Sequence, residues 1–259
     1  MMRIFLLAII GSTLLACSMQ PSSSDNASQS HQKILQKLDF IQQYLTLSSF
    51  HQAGSIFATF TQEEQDYLLQ NSVDFVRLKG VYLSQSHQLK EALLHYQKAL
   101  DIYPNDAVLL NNFGVFLLTQ MQFDRACDAF KKAVLLSSKN SFSGLINLSR
   151  CELAYKKVDM ATKYLKRAKE INNLPYIGLL TELNLALILG DLSGARQSYN
   201  KIQAEQKIAP YTEHKNEYEC LLQQYNVAEL DSTYYSFSRP FFACVVQGNE
   251  YGIWNSRKQ

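Results

Sequence analysis

Two consecutive stretches decide the fold: Val73–Asp106, VDFVRLKGVYLSQSHQLKEALLHYQKALDIYPND, and Ala107–Asn140, AVLLNNFGVFLLTQMQFDRACDAFKKAVLLSSKN. They superimpose at a period of 34 residues. In the first, Gly80, Ala92, Tyr96, Ala99 and Pro104 stand at positions 8, 20, 24, 27 and 32; in the second, Gly114, Ala126, Phe130, Ala133 and Ser138 do. Small residues at 8 and 20 let two antiparallel helices approach closely. The aromatic at 24 fills the gap toward the next pair, and the alanine at 27 lies under the following helix. Proline at 32 stops the second helix, because it cannot continue the hydrogen-bond ladder.

The pattern extends in both directions. After one inserted residue a third copy covers Phe142–Pro175, with Ala161, Leu165 and Ala168 at positions 20, 24 and 27. A fourth starts at Tyr176, turns at Gly190-Asp191 and carries Ala195 and Tyr199. A degenerate first copy begins near Ile34, where Ala53 and Phe57 echo Ala126 and Phe130, and a spacer over 61–70 follows it. The pattern resembles the tetratricopeptide repeat. The resemblance implies an all-α solenoid of four to five helix pairs, above the three or so that a stable stack requires.

Composition agrees. Ten Gly and five Pro in 259 residues leave little material for the frequent turns of an all-β fold. With 47% hydrophobic and 19% charged residues the chain is of the folded class. A net charge of +2 without a long basic run gives no footprint for nucleic acid.

Chemistry-bearing motifs do not emerge. His31, His51, His87, His95 and His214 lack metal-ligand spacing and are expected to be solvated or capping residues. There is no HExxH, GxSxG, CxxC or phosphate-cradling glycine loop, so neither metal nor cofactor is expected and catalysis is not. Cys127 and Cys151 lie in apolar surroundings and read as buried free thiols. A Cys220–Cys244 bridge that pins the tail is an alternative use of the cysteines, and three connectivities are open to the four.

The N-terminus, MMRIFLLAIIGSTLLAC, has a basic residue at Arg3 and a short apolar stretch. From Ile4 to Ala16 a helix spans about 20 Å, short of a bilayer's hydrocarbon core, so an export signal fits better than a membrane span. Leu14-Leu15-Ala16-Cys17 resembles the bacterial lipobox, which implies cleavage before Cys17 and acylation of its thiol and amine. Two or more acyl chains anchor stably where one does not. Ser18 after the cysteine implies passage to the outer membrane, facing the periplasm. The Ser-rich residues that follow buy too little burial to offset ordering and read as a flexible tether.

The domain reading is therefore a signal peptide at 1–16, a lipidated tether at 17–30, a repeat domain with a capping helix at 31–226, and an aromatic tail of unassigned structure at 227–259. The capping helix is placed at Glu213–Tyr225, and Phe241–Val246 with Gln247-Gly248-Asn249 read as short strands around a turn.

In a stack of helix pairs the first helices line the concave face. The expected groove residues are Arg77, Val81, Asn111, Val115, Leu118, Ile146, Arg150, Leu153, Asn184 and Leu187. They form an apolar trough in which Asn111, Arg150 and Asn184 can bond the backbone of an amphipathic helix or extended peptide. Coverage of part of this set by the C-terminal helix or tail is the competing expectation.

Leu109–Leu117 (LLNNFGVFL), Leu145–Leu153 (LINLSRCEL), Leu174-Pro175, and Gly190-Asp191-Leu192 with Ala195-Arg196 are similar to segments of the type IV pilus pilotins of the PilF/PilW family. That resemblance implies a secretin subunit as the groove's partner, with the bilayer held through acylated Cys17. A repeat lipoprotein of tight-adherence pili, or a scaffold lipoprotein of another envelope assembly, fits the same architecture.

Overall fold

In the computed structural model, residues 23–137, 141–208 and 215–230 are described, and among them the secondary structure is entirely helical. Four hairpins follow the repeats: α4 (Val73–Gln85) with α5 (Leu89–Ile102), α6 (Ala107–Thr119) with α7 (Phe123–Leu136), α8 (Phe142–Ala154) with α9 (Val158–Ile171), and α10 (Tyr176–Leu189) with α11 (Leu192–Ile208). Before them stand α1 (Ser23–Thr46), α2 (Phe50–Phe57) and α3 (Gln62–Asn71); α12 (Lys215–Leu230) follows. In element labels, α1–α2 is the degenerate first pair.

Five hairpins share one turn. Ser48, His87, Met121, Lys156 and Gly190 all adopt the left-handed conformation, with φ between 54° and 73°. In each, the next residue's amide bonds a carbonyl five residues back: Ser49 to Tyr44, Gln88 to Leu83, Gln122 to Leu117, Lys157 to Glu152 and Asp191 to Ala186, at 2.8–2.9 Å. This is the Schellman closure, which satisfies the open carbonyls of the first helix and reverses the chain. Its recurrence in α1–α2 identifies that pair as a repeat despite its weak sequence match.

The packing positions behave as their spacing requires. Ala92, Ala126, Ala161 and Ala195 are fully buried, as are Ala99, Ala133 and Ala168. A Cβ on Gly80 would stand 2.7 Å from the Tyr96 ring, and one on Gly114 would stand 2.5 Å from that of Phe130. Tyr96 also meets Phe113 and Phe116 of the next hairpin, at 5.5 Å between ring centroids in each case. Tyr199 of the last hairpin is half-buried and stacks on Tyr225 of α12 at 4.6 Å. In the third copy Ser149 replaces the glycine, and its hydroxyl donates to the Ala161 carbonyl at 2.7 Å.

Three expectations are corrected, and the spacer gains its structure. The 61–70 spacer is helix α3, whose start is a capping box: the Glu64 amide donates to Thr61 Oγ1, and the Thr61 amide donates to the Glu64 carboxylate. Helix α1 begins at Ser23, inside the stretch expected as tether. Once the Ile41 and Leu45 face is docked, the nucleation cost is met and each added residue contributes a hydrogen bond. Cys127 of α7 and Cys151 of α8 form a disulfide with Cα atoms 5.8 Å apart; their sequence surroundings were apolar, but the stacking of one hairpin on the next brings them together. His95 is buried, not solvated, and its Nε2–H donates to the Val76 carbonyl at 2.8 Å.

The capping helix is present and runs from Lys215 to Leu230, beyond the expected boundary at 226. Cys220 is disulfide-bonded; Cys244, one of the partners open to it, lies outside the described residues, as do residues 1–22 and the tail strands.

Candidate peptide-binding groove

The expected groove residues fall on the first helices of the four hairpins, but the structure divides them into two unlike halves. On α4 and α6 the surface is open. Val115 is 44% exposed and Val108 49%, with Val81 and Leu118 half-buried between. On α8 and α10 the corresponding side chains are covered. Ile146, Leu153, Leu180, Asn184 and Leu187 are all buried.

Polar groups frame the open half. Arg77 Nε donates to Asp106 Oδ1 at 2.9 Å, its Nη2 is paired with Asp106 Oδ2, and its Nη1 reaches Asp74 at 3.0 Å. Asp106 is also the N-cap of α6 and accepts from the Leu109 amide at 2.7 Å. One carboxylate thus ties α4 to the start of α6. Burial pushes the Asp106 carboxyl up, but the Arg77 and Leu109 hydrogen bonds outweigh it and hold it below its usual range. The hydrogen bond to Asp106 in turn raises the Arg77 guanidinium. Arg77 is therefore committed to the scaffold rather than free for a ligand. Asn111, buried at the floor, accepts from Asn147 Nδ2 of α8 at 3.0 Å.

Behind this half, Lys79 of α4 donates to Gln65 of α3 at 2.5 Å and lies over the Phe75 ring. Its desolvation lowers the ammonium's pKa. His95 is lowered for the same first reason, burial, against the raising effect of its bond to Val76. Both groups hold elements together and neither faces the groove.

The covered half is organised by a residue the sequence reading did not single out, Glu217 of α12. It is fully buried, and both its carboxylate oxygens accept from Arg150 of α8, at 2.8 Å each. Arg150 also reaches Thr181 of α10 at 3.3 Å. Glu217, Leu221, Tyr225 and Ala228 recur at helical spacing, and all four are buried. Helix α12 thus packs on α10 and reaches past it to α8. The visible sequence signal was a carboxylate in register with an apolar stripe.

Asn184 lies in this half with both amide atoms buried and neither hydrogen-bonded. The expected groove is therefore corrected at Ile146, Arg150, Leu153, Asn184 and Leu187: Ile146, Leu153, Asn184 and Leu187 are buried, and Arg150 is bonded to Glu217 of α12. At Arg150 the contact is with the C-terminal helix, whose Glu217 supplies the acid it pairs.

Among the described residues no cluster of His, Cys, Asp and Glu could hold a metal ion, and no helix is long and apolar enough to cross a membrane.

Comparison with known proteins places this geometry. The model for the tetratricopeptide repeat matches residues 95–128. That span holds most of α5, all of α6 and the start of α7, the centre of the stack. The chain carries tetratricopeptide-type repeats. It is 26% identical over 161 residues to an uncharacterized protein of Haemophilus influenzae, covering 61% of this chain and 84% of that one. It is also similar to a solved structure described as the functional characterization of Pseudomonas aeruginosa pilF. Identity there is 16% and the TM-score 0.39, over 75% of this chain and 95% of the other, a likeness too distant to carry function.

Proposed function

We propose that this protein is a lipid-anchored receptor of the cell envelope that holds a protein client on its concave face. Its role would be that of a pilotin, which helps type IV pilus secretin subunits reach the outer membrane and assemble there. The observation that carries the reading is the open apolar surface of Val81, Val108, Val115 and Leu118, set on a rigid stack and rimmed by polar groups. Exposed apolar side chains gathered on one concave face mark an interaction site. The choice of client rests on the sequence similarity of Leu109–Leu117 and Leu145–Leu153 to pilotins.

Anchoring rests on the lipobox-like Leu14–Cys17. In this reading residues 1–16 are removed, Cys17 is acylated, and the protein faces the periplasm from the outer membrane. The Cys127–Cys151 disulfide supports export, since such bonds persist in oxidising compartments. The activity is binding rather than catalysis.

The test isolates the tagged full chain from solubilised membranes and probes for secretin. Wild type should retain it, and the Val115→Asp/Leu118→Asp variant should retain about tenfold less, because two charges are then buried against the client. Equal secretin capture by that variant would move the client to another face. Cys17→Ser, run alongside, should shift the protein from the membrane to the soluble fraction; an unshifted protein would remove the anchor.

A further inference from the structure

The covered half of the concave face has a chemistry of its own. Arg150 projects from α8 and bonds Thr181 of α10, and Leu180, Asn184 and Leu187 of the same helix are fully buried. What sits there is a helix whose inward face reads acid, apolar, aromatic, small: Glu217, Leu221, Tyr225, Ala228.

We infer that this half is a recognition site for an amphipathic helix carrying a carboxylate in its first turn, and that α12 occupies it as a displaceable resident. A client helix with an acid followed by apolar residues four and eight positions on would take the same seat.

Two independent observations carry this. The first is the Arg150–Glu217 pair, a two-point bond with Glu217 fully buried. An end-cap that serves stability alone gains as much from apolar residues at such a spot, whereas a buried ion pair fixes register and partner. The second is Asn184. Its donor and acceptor are both buried, and α12 satisfies neither. Buried polar groups are normally hydrogen-bonded, and leaving one unpaired weakens the complex that buries it. The site therefore offers an amide that its own helix leaves unused. A client helix presenting a polar side chain beside its apolar stripe gains that bond.

Helix α12 competes through proximity. Joined to α11 through residues 209–214, it acts at a high effective concentration, so an imperfect fit suffices to keep the seat filled. A client held nearby by the open half, or by the membrane, overcomes that advantage in the same way. The proposal rests on reading the concave face as the client surface.

The experiment supplies the helix in trans. The probe is a fluorescent peptide of residues 215–230 with Cys220→Ser, titrated into the full chain and read by anisotropy. Glu217→Ala in the chain should free Arg150 and raise affinity for the peptide on the order of a hundredfold over wild type. Adding Arg150→Ala should cancel that gain. Glu217→Gln, which keeps the shape and loses the charge, should lie between; it decides the question if Glu217→Ala loses helical circular dichroism. A chain with Arg150→Glu should bind poorly, and recover with a peptide carrying Glu217→Arg.

Equal, weak binding by wild type and both Glu217 variants would make α12 a fixed cap and overturn the inference. So would a gain that survives Arg150→Ala. Because the ligand is the protein's own helix, neither outcome depends on secretin. Failure of the Val115→Asp/Leu118→Asp test leaves this assay unchanged.

Discussion

At the scale of single residues, the repeat is held in shape by a left-handed residue at one position of every hairpin. Ser48, His87, Met121, Lys156 and Gly190 carry it, and only the last is glycine. For an L side chain that conformation crowds Cβ against the following carbonyl; glycine escapes the clash. Met121 is 57% exposed, so its side chain contributes little packing to set against the strain. Met121→Gly is therefore expected to stabilise the fold by about 1 kcal/mol. Gly190→Ala should destabilise it by a similar amount, although the added methyl would meet nothing within 4 Å. Chemical denaturation of the two variants checks this. Shifts of the same sign would show that something other than backbone conformation sets stability at the turns.

The elements show how far periodicity reads. Helices α4 to α11 were legible because alanines and aromatics recur at fixed positions, and burial confirms the assignment: Ala92, Ala126, Ala161 and Ala195 are each at zero exposure. Helix α3 lies outside the repeat, and Thr61 and Glu64 carry its start signal. On α4 and α6, of the residues named from repeat position, Val115 is exposed, whereas Arg77 is bonded to Asp106 and Asn111 is buried. The pairing of Arg150 with Glu217 was not legible, since it spans 67 residues and no local pattern announces it. Cys127 and Cys151 failed for the same reason: local composition described their surroundings, while their proximity belongs to the stacking of α7 on α8. That bond closes a segment with a sequence separation of 24. In the chain-entropy account it stabilises the fold by about 3 kcal/mol. Cys127→Ser/Cys151→Ser should lose about that much in urea. A loss below about 0.5 kcal/mol would mean the unfolded chain is already confined without it.

For the whole molecule, the decisive property is that each hairpin leans only on its neighbours. Stability in such a stack is a sum of local terms and interfaces, so the ends open before the middle. Here the middle has further ties. Asp106 joins α4 to α6, the disulfide joins α7 to α8, and the Tyr96 ring spans two hairpins. At the C-terminal end α12 is held by the Arg150–Glu217 pair, by the buried stripe Glu217, Leu221, Tyr225 and Ala228, and by the stacking of Tyr225 on Tyr199, and its Cys220 is disulfide-bonded. Amide hydrogen exchange on the full chain should then show α6 to α8 slowest, with protection falling toward α1 and toward α12. Helix α12 should exchange faster than α10, the helix it covers, because an occupant that leaves its seat exposes its own amides before those of the floor. Equal protection in the two would mean that they open as one unit. The concave face would then have a single usable half, the one around Val115.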